Sequence, residues 1–245
     1  MILLIDADIL LYRAASSVER EIEFEEDYWV LYTDENEAIE EFDRSVEALF
    51  KQANFKSYLL CFSDAKNYRK DILPSYKGNR TSRKPMAFKA IRERVLQENS
   101  KDIIMWPNVE ADDCLGIIST KRPNIYVIWS ADKDLMQIPG KHLVDGNIIT
   151  VSEEQADLFF LRQVLTGDTV DNYKGCPGIG PVKADNILSK MKTFEERWKA
   201  ICELYIKAGL TAEDALVQAR MARILRADGW DSENQKVILW EPTTA

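Results

Sequence analysis

Residues 1–15 read MILLIDADILLYRAA: a short apolar run, Ile2–Ile5, meets Asp6 and passes into a segment of helical period, Ala7–Ser17. The alternation recurs along the chain. Strands are predicted at Ser57–Phe62, Ile103–Trp106 and Ile125–Trp129, and helices at Glu35–Ala53, Met86–Glu98 and Asp112–Ser119. Such a pattern makes a mostly parallel sheet covered by helices, an α/β fold. Glu21–Thr33 is expected to add an edge strand or hairpin, and His142–Val151 a hairpin turning at Asp145-Gly146-Asn147. Beyond Ser152 the pattern is almost wholly helical. The chain therefore divides into an α/β region, 1–151, and a smaller helical region, 152–245, with Lys236–Trp240 returning as a strand.

Sheets of this type bind ligands beyond the carboxyl ends of their strands, and each predicted strand runs into acid. Ile2–Ile5 leads to Asp6 and Asp8, and Ser57–Phe62 to Asp64; Ile103–Trp106 leads to Glu110, Asp112 and Asp113, and Ile125–Trp129 to Asp132 and Asp134. Any one Asp can be a helix cap, but four groups at one rim are not explained that way. Two carboxylates about 5 Å apart repel by roughly 3 kcal/mol at an effective dielectric near 20. The cluster needs a compensating cation, and Mg²⁺ and Mn²⁺ favour oxygen ligands. A further pair, Asp168 and Asp171, lies three apart in TGDTVDN, followed by GCPGIGPVKA at 175–184. That turn fails as a nucleotide fingerprint, because it does not follow a strand and has no third glycine. It reads instead as a helix-hairpin-helix, a turn that grips a nucleic-acid backbone.

The net charge of −9 is unevenly spread. Lys66 to Arg94 holds ten Lys or Arg against two acids, a balance of +8, so the remaining residues carry −17. A polyanion on one surface and cations on another fit that asymmetry. The four cysteines are scattered with no CxxC, which indicates neither a zinc site nor a disulfide framework, and a single histidine, His142, argues against histidine-based general base chemistry. No apolar run approaches the ~18 residues of a membrane span, and the first segment lacks a basic n-region. A cytoplasmic protein with no membrane partner is expected.

The ordered set DADILLYRAA, Asp64 followed by YRKDILPSYKGNR, then VEADD, SADKD, TGDTVDN and GCPGIGPVKA resembles the metal-dependent 5′-nuclease family of flap endonucleases and 5′→3′ exonucleases. The ending KAGLTAEDALVQARMARILRADGWDSENQKVILWEP resembles its small phage-encoded branch. The resemblance implies a PIN-like fold with a basic helical arch at 65–94 and a helix-hairpin-helix region of three-helix type. It implies a monomer that hydrolyses duplex DNA from the 5′ end or at flaps, and the RNA of RNA–DNA hybrids, using two Mg²⁺ ions with Mn²⁺ as substitute. K⁺ at the hairpin is also implied. The family's acids fall on Asp6, Asp64, Glu110, Asp112 and Asp113 for a first metal region, and on Asp132, Asp134, Asp168 and Asp171 for a second; Asp6, Asp64 and Asp132 count as catalytic too. In the arch, Lys77 and Arg80 would hold the scissile phosphate and Tyr76 or Tyr68 would stack on a base. Arg69, Lys70, Arg83 and Lys84 extend that basic face, and Gly178, Gly180 and Lys183 would hold duplex backbone.

Three other readings share parts of the pattern. A haloacid-dehalogenase-type phosphatase also begins with a strand and DxD, yet has no use for the +8 segment. A non-catalytic nucleic-acid-binding module would keep that segment but need not keep nine acids. PIN-type ribonucleases are related but mostly shorter, without the helical extension.

Overall fold

In the computed structural model, which describes residues 1–242, the first apolar run becomes the strand β1 (Ile2–Asp6) inside a six-stranded sheet. Leu3, Leu4 and Ile5 are wholly buried. A strand suits them because successive side chains alternate faces: Leu3 and Ile5 enter one apolar layer and Leu4 the other. β4 (Ser57–Cys61) and β6 (Tyr126–Trp129) flank β1 in parallel, and β5 (Ile103–Ile104) extends the sheet beyond β4. On the other side β7 (Gly140–Val144) runs parallel to β6, and β8 (Asn147–Val151) closes the edge antiparallel.

One face of the sheet is covered by α1 (Ala7–Ser17), α2 (Glu35–Lys51) and α4 (Phe88–Glu98), with Leu11, Phe42 and Ile91 in a common core. The other face receives α5 (Ala111–Lys121), through Cys114, Leu115 and Ile117, together with Ile224, Leu225 and Trp230 from the far end of the chain. Each fully buried Leu or Ile contributes about 1.5–3 kcal/mol.

The helical region holds α6 (Glu153–Thr166), α7 (Pro181–Leu188), α8 (Phe194–Lys207) and α9 (Ala212–Ala222), four helices among the described residues rather than three. Capping boxes open three of them, Ser152 with Gln155, Thr193 with Glu196 and Thr211 with Asp214. Their core gathers Phe160, Leu161, Val164 and Tyr205, and it takes in Ile72, Leu73 and Tyr76 from the basic segment. Among the described residues no helix is long and apolar enough to cross a membrane.

Glu21–Thr33 forms a hairpin, as expected: β2 (Arg20–Glu25) and β3 (Tyr28–Tyr32) make a two-stranded ribbon apart from the main sheet, whose side chains are mostly exposed. Departures from expectation lie in two other segments. The strand expected at Lys236–Trp240 shortens to β10 (Lys236–Val237), paired with β9 (Trp230–Asp231). The basic segment is not a continuous helical arch. Its helix is limited to the short α3 (Arg69–Ile72) and the start of α4, because Pro74, Gly78 and Pro85 interrupt it and Tyr68, Arg69 and Tyr76 are drawn into the core.

Candidate active site

The carboxyl ends of β1 and β4 lie in register, Asp6 opposite Cys61. Asp6 ends β1 and caps α1, one oxygen accepting from Ile9 N at 3.3 Å, while Ser130 Oγ, just past β6, donates to the other at 2.7 Å. Burial pushes the Asp6 carboxyl up to about 7; the Ser130 bond opposes the rise, and the charges of Asp8 and Asp132 add to it. Burial, then Asp6 and Glu110, raises Asp112 well above the usual carboxylate range. Asp134 is pushed up to about 6 by burial and then by Asp132 and Asp168. Acids remote in sequence thus come close enough to disfavour one another's ionisation.

A cleft of about 580 Å³ is lined by Glu110, Asp112, Asp132, Asp134, Asp168 and Asp171. The last two arrive on the loop between α6 and α7. Asp168 and Tyr173 exchange backbone hydrogen bonds of 2.8 and 3.0 Å across it, and Gly167 and Gly175, each at φ +65°, let its two legs touch. A Cβ on Gly167 would lie 2.4 Å from the Lys174 carbonyl carbon, and one on Gly175 2.3 Å from the Gly167 nitrogen.

The basic segment reaches this same cleft. Lys77 Nζ pairs with Glu110 and lies 3.6 Å from Asp171, and Arg80 Nη2 is 2.6 Å from Asp171. The Tyr76 hydroxyl sits 2.9 Å from both Glu110 Oε2 and Asp171 Oδ2. Lys77 takes φ +55°, with its backbone N–H donating to the Asp171 carbonyl at 3.0 Å. Burial alone would raise the Glu110 carboxyl, but the charges of Lys77 and Arg69 and the bonds from Lys77 and Tyr76 hold it down at about 2.

Whether these residues suit a metal is decided by donor chemistry. Of the Asp, Glu, His and Cys side chains, only carboxylates line the cleft; His142 is buried against the Ile138 carbonyl, and Cys61, Cys114 and Cys176 are buried elsewhere. Such a set fits a hard, oxygen-preferring divalent ion and not a thiolate-loving one. Among the described residues no three Asp, Glu, His or Cys side chains already converge on one point, so side chains must rotate to share an ion.

Several expected roles need correction. Asp113 is fully buried and faces away from the cleft: Arg69 binds both its oxygens at 2.8 Å, and the Leu225 and Glu110 backbone N–H groups donate to it at 3.0 and 3.1 Å. It is a structural anion, not an open ligand. Arg69 is itself 3% exposed and also bonds the Met221 and Arg223 carbonyls, so it is closed to DNA. Tyr68 and Tyr76 are buried at 7% and 2% exposure, which removes both as stacking platforms. Asp64 does not line the cleft; backbone N–H groups of Asn108 and Ala65 donate to it at 2.8 and 2.7 Å and, with the Asn108 bond foremost, hold its carboxyl below the usual range. Lys70, Arg83, Lys84 and Lys183 are exposed as expected, though Arg83 pairs with Glu19 and Lys84 Nζ lies over the Phe88 ring. Gly178 and Gly180 lie in open space before α7, but the Gly178 carbonyl accepts from Lys183 Nζ at 3.2 Å. Nothing in the sequence marks Gln137 or Gln163 as cleft residues, and Ser130 stands out only as the first letter of SADKD.

Residues 1–164 match the family model described as 5'-3' exonuclease, N-terminal resolvase-like domain. The exonuclease of Escherichia phage T7 and the exodeoxyribonuclease of Enterobacteria phage T3 are each 30% identical, over 98% of this chain and 93% of theirs. Among solved structures, a pseudo-enzyme-product complex of the bacteriophage T5 flap endonuclease with DNA and metal ions superposes at TM-score 0.62 and 16% identity, covering 90% of this chain and 88% of that one. The catalytic core of Rad2 in complex with DNA substrate does so at 0.53 and 12%, covering 98% and 82%. The structural likenesses carry the fold, and the sequence matches carry the family: this chain belongs to the 5′–3′ exonucleases, nucleases related to the flap endonucleases.

Proposed function

We propose that this chain hydrolyses phosphodiester bonds of DNA from the 5′ side, at duplex ends, nicks and flaps, with divalent ions held by the acids of the cleft. The observation that supports the reading is the convergence of Glu110, Asp112, Asp132, Asp134, Asp168 and Asp171 on one cleft that also contains Lys77 and Arg80. Glu110 and Asp112, with Asp6 buried beside Asp112 and outside the cleft lining, would hold one Mg²⁺ or Mn²⁺, and Asp132, Asp134, Asp168 and Asp171 a second. Bound there, such ions supply a water of lowered pKa and positive charge for the leaving 3′ oxygen.

The chain's own groups do the rest. Lys77 and Arg80 contact cleft carboxylates, and there either cation would offset charge developing on a phosphate during in-line displacement. The exposed turn at Gly178 and Gly180 opens α7, and its free backbone N–H groups suit a phosphate, which favours backbone contact over base reading. Lys70, Lys84 and Lys183 add salt-dependent contacts.

Duplex, nicked and flapped DNA labelled at the 5′ or 3′ end, with an RNA–DNA hybrid in parallel, tests the proposal. Loss of the 5′ label with Mg²⁺ and none with EDTA is expected. Phosphomonoester hydrolysis without strand degradation would overturn it.

A further inference from the structure

Residues 75–80, which include Lys77 and Arg80, lie along the loop 167–175, which carries Asp168 and Asp171, and three hydrogen bonds join the two. Asn172 Nδ2 donates to the Ser75 carbonyl at 2.8 Å, the Lys77 backbone N–H to the Asp171 carbonyl at 3.0 Å, and Asn79 Nδ2 to the Thr169 carbonyl at 2.6 Å. As the basic segment runs forward through Ser75, Lys77 and Asn79, the loop runs back through Asn172, Asp171 and Thr169. The contact is an antiparallel latch of three rungs. A carbonyl only accepts, so both asparagine amides present their NH₂ and each has one orientation. No rung uses the side chain of Lys77, Arg80, Asp168 or Asp171, so the latch holds the frame on which those charges stand without engaging the charges themselves.

The two partners differ in how firmly they are held. The loop is braced internally: Asp168 and Tyr173 exchange backbone bonds, Asp168 Oδ1 accepts from Val170 N at 2.7 Å and Asp171 N at 3.2 Å, and its legs meet at Gly167 and Gly175. The basic segment is a chain of turns, Tyr76 N to Leu73 O, Gly78 N to Ser75 O and Arg80 N to Lys77 O. Tyr76 anchors its start in the core; past it Gly78, Asn79 and Arg80 are exposed, and the latch ties this stretch to the loop. Lys77, at the middle rung, takes φ +55°, a left-handed conformation that persists in a non-glycine residue only where its surroundings enforce it.

We infer that Asn79 and Asn172 are positioning residues for cleavage: their amides register the basic segment against the acid loop and so set where Lys77 and Arg80 stand in the cleft. The inference rests on the reading of Lys77 and Arg80 as the groups that offset phosphate charge.

The test compares Asn79→Ala/Asn172→Gly, Asn79→Asp and Lys77→Ala/Arg80→Ala with the unaltered protein, together with the combination of all four latch and cation substitutions. Glycine suits position 172, where φ is +62°, because it keeps the left-handed backbone and removes only the amide. The readouts are kcat and KM on 5′-labelled nicked duplex, single-turnover rates for the slow variants, Mn²⁺ binding by electron paramagnetic resonance without DNA, and the thermal midpoint. Misplacing a positioned group by about 1 Å can cost ~10²-fold in rate. Asn79→Ala/Asn172→Gly should lose about 10–100-fold in kcat with KM within about threefold. Its Mn²⁺ affinity and midpoint should hardly change, because the acid loop keeps its own bracing. Asn79→Asp, which turns an oxygen toward the Thr169 carbonyl, should lose kcat as well. Where Lys77 and Arg80 are already alanine, removing the latch should cost less than about twofold more. An unchanged kcat without the latch overturns the inference. So does an equal loss in the background lacking both cations, or a loss that follows the midpoint or the Mn²⁺ affinity, since the amides would then serve the fold or the loop. Full activity in Lys77→Ala/Arg80→Ala would instead remove the reading of the cations on which the latch depends.

Discussion

Asp112 and Asp113 are neighbours in the first turn of α5, and the fold gives them opposite work. Asp112 lines the cleft among like charges, while Asp113 neutralises Arg69 in the core. Asp113→Ala strands a buried guanidinium and should destabilise the protein by about 3–5 kcal/mol. Asp112→Asn removes a repulsion, so it should abolish cleavage with no loss of stability; urea titrations of both variants in EDTA check the contrast. Asp132→Asn should likewise abolish cleavage yet leave DNA binding near normal in a gel-shift assay with EDTA. Lys77→Ala should lower kcat by about 10²–10³ with a smaller change in KM, the pattern of a group that acts on transition-state charge. A larger effect on KM would make Lys77 a backbone anchor.

Among the elements, α5 is held most tightly to the end of the chain. A Cβ on Gly116 would sit 2.2 Å from the Leu225 carbonyl oxygen, and on either side of that contact Leu225 N donates to Asp113 and Ala227 N to Thr120 Oγ1 at 2.8 Å. On helix propensity alone Gly116→Ala would add about 1 kcal/mol of stability. The overpacking here should reverse the sign and cost about 1–3 kcal/mol, as read by chemical denaturation. A stabilised variant would show that residues 224–227 are free to move away. The basic segment teaches a related lesson. Its charge marks it as a surface, yet Tyr68, Arg69 and Tyr76 are buried where the sheet joins the helical core, leaving Lys77 and Arg80 as the less buried cations it brings to the cleft.

Across the whole molecule the concentration of acid makes stability depend on pH and metal together. Asp6 at about 7 and Asp134 at about 6 lie above the ~3.9 of an unfolded Asp. Between about pH 4 and 7 the folded state therefore binds more protons than the unfolded one, and stability falls as pH rises. Glu110, held at about 2, acts in the opposite sense below about pH 4.5, at the lower edge of that window and beneath it. In EDTA the thermal midpoint should be higher at pH 5.5 than at pH 7.5, and added Mg²⁺ should raise it more at pH 7.5. A midpoint indifferent to Mg²⁺ would count against the acids sharing an ion. The parallel sheet, its helices and the acid after each strand were all legible in the order of residues, because apolar period and helix caps are local properties: Ile2–Ile5, Asp6 and Ala7–Ser17 were placed nearly to the residue. Which acids open to the cleft was not legible. Successive residues of a helix point about 100° apart, so the choice between Asp112 and Asp113 falls to Arg69 and Leu225, 44 and 112 residues from Asp113. The same holds for Tyr76 and Gln163: each is an ordinary polar or aromatic letter until packing between remote segments sets its neighbours, and long-range packing alone fixes which charges are buried, paired or left facing the cleft.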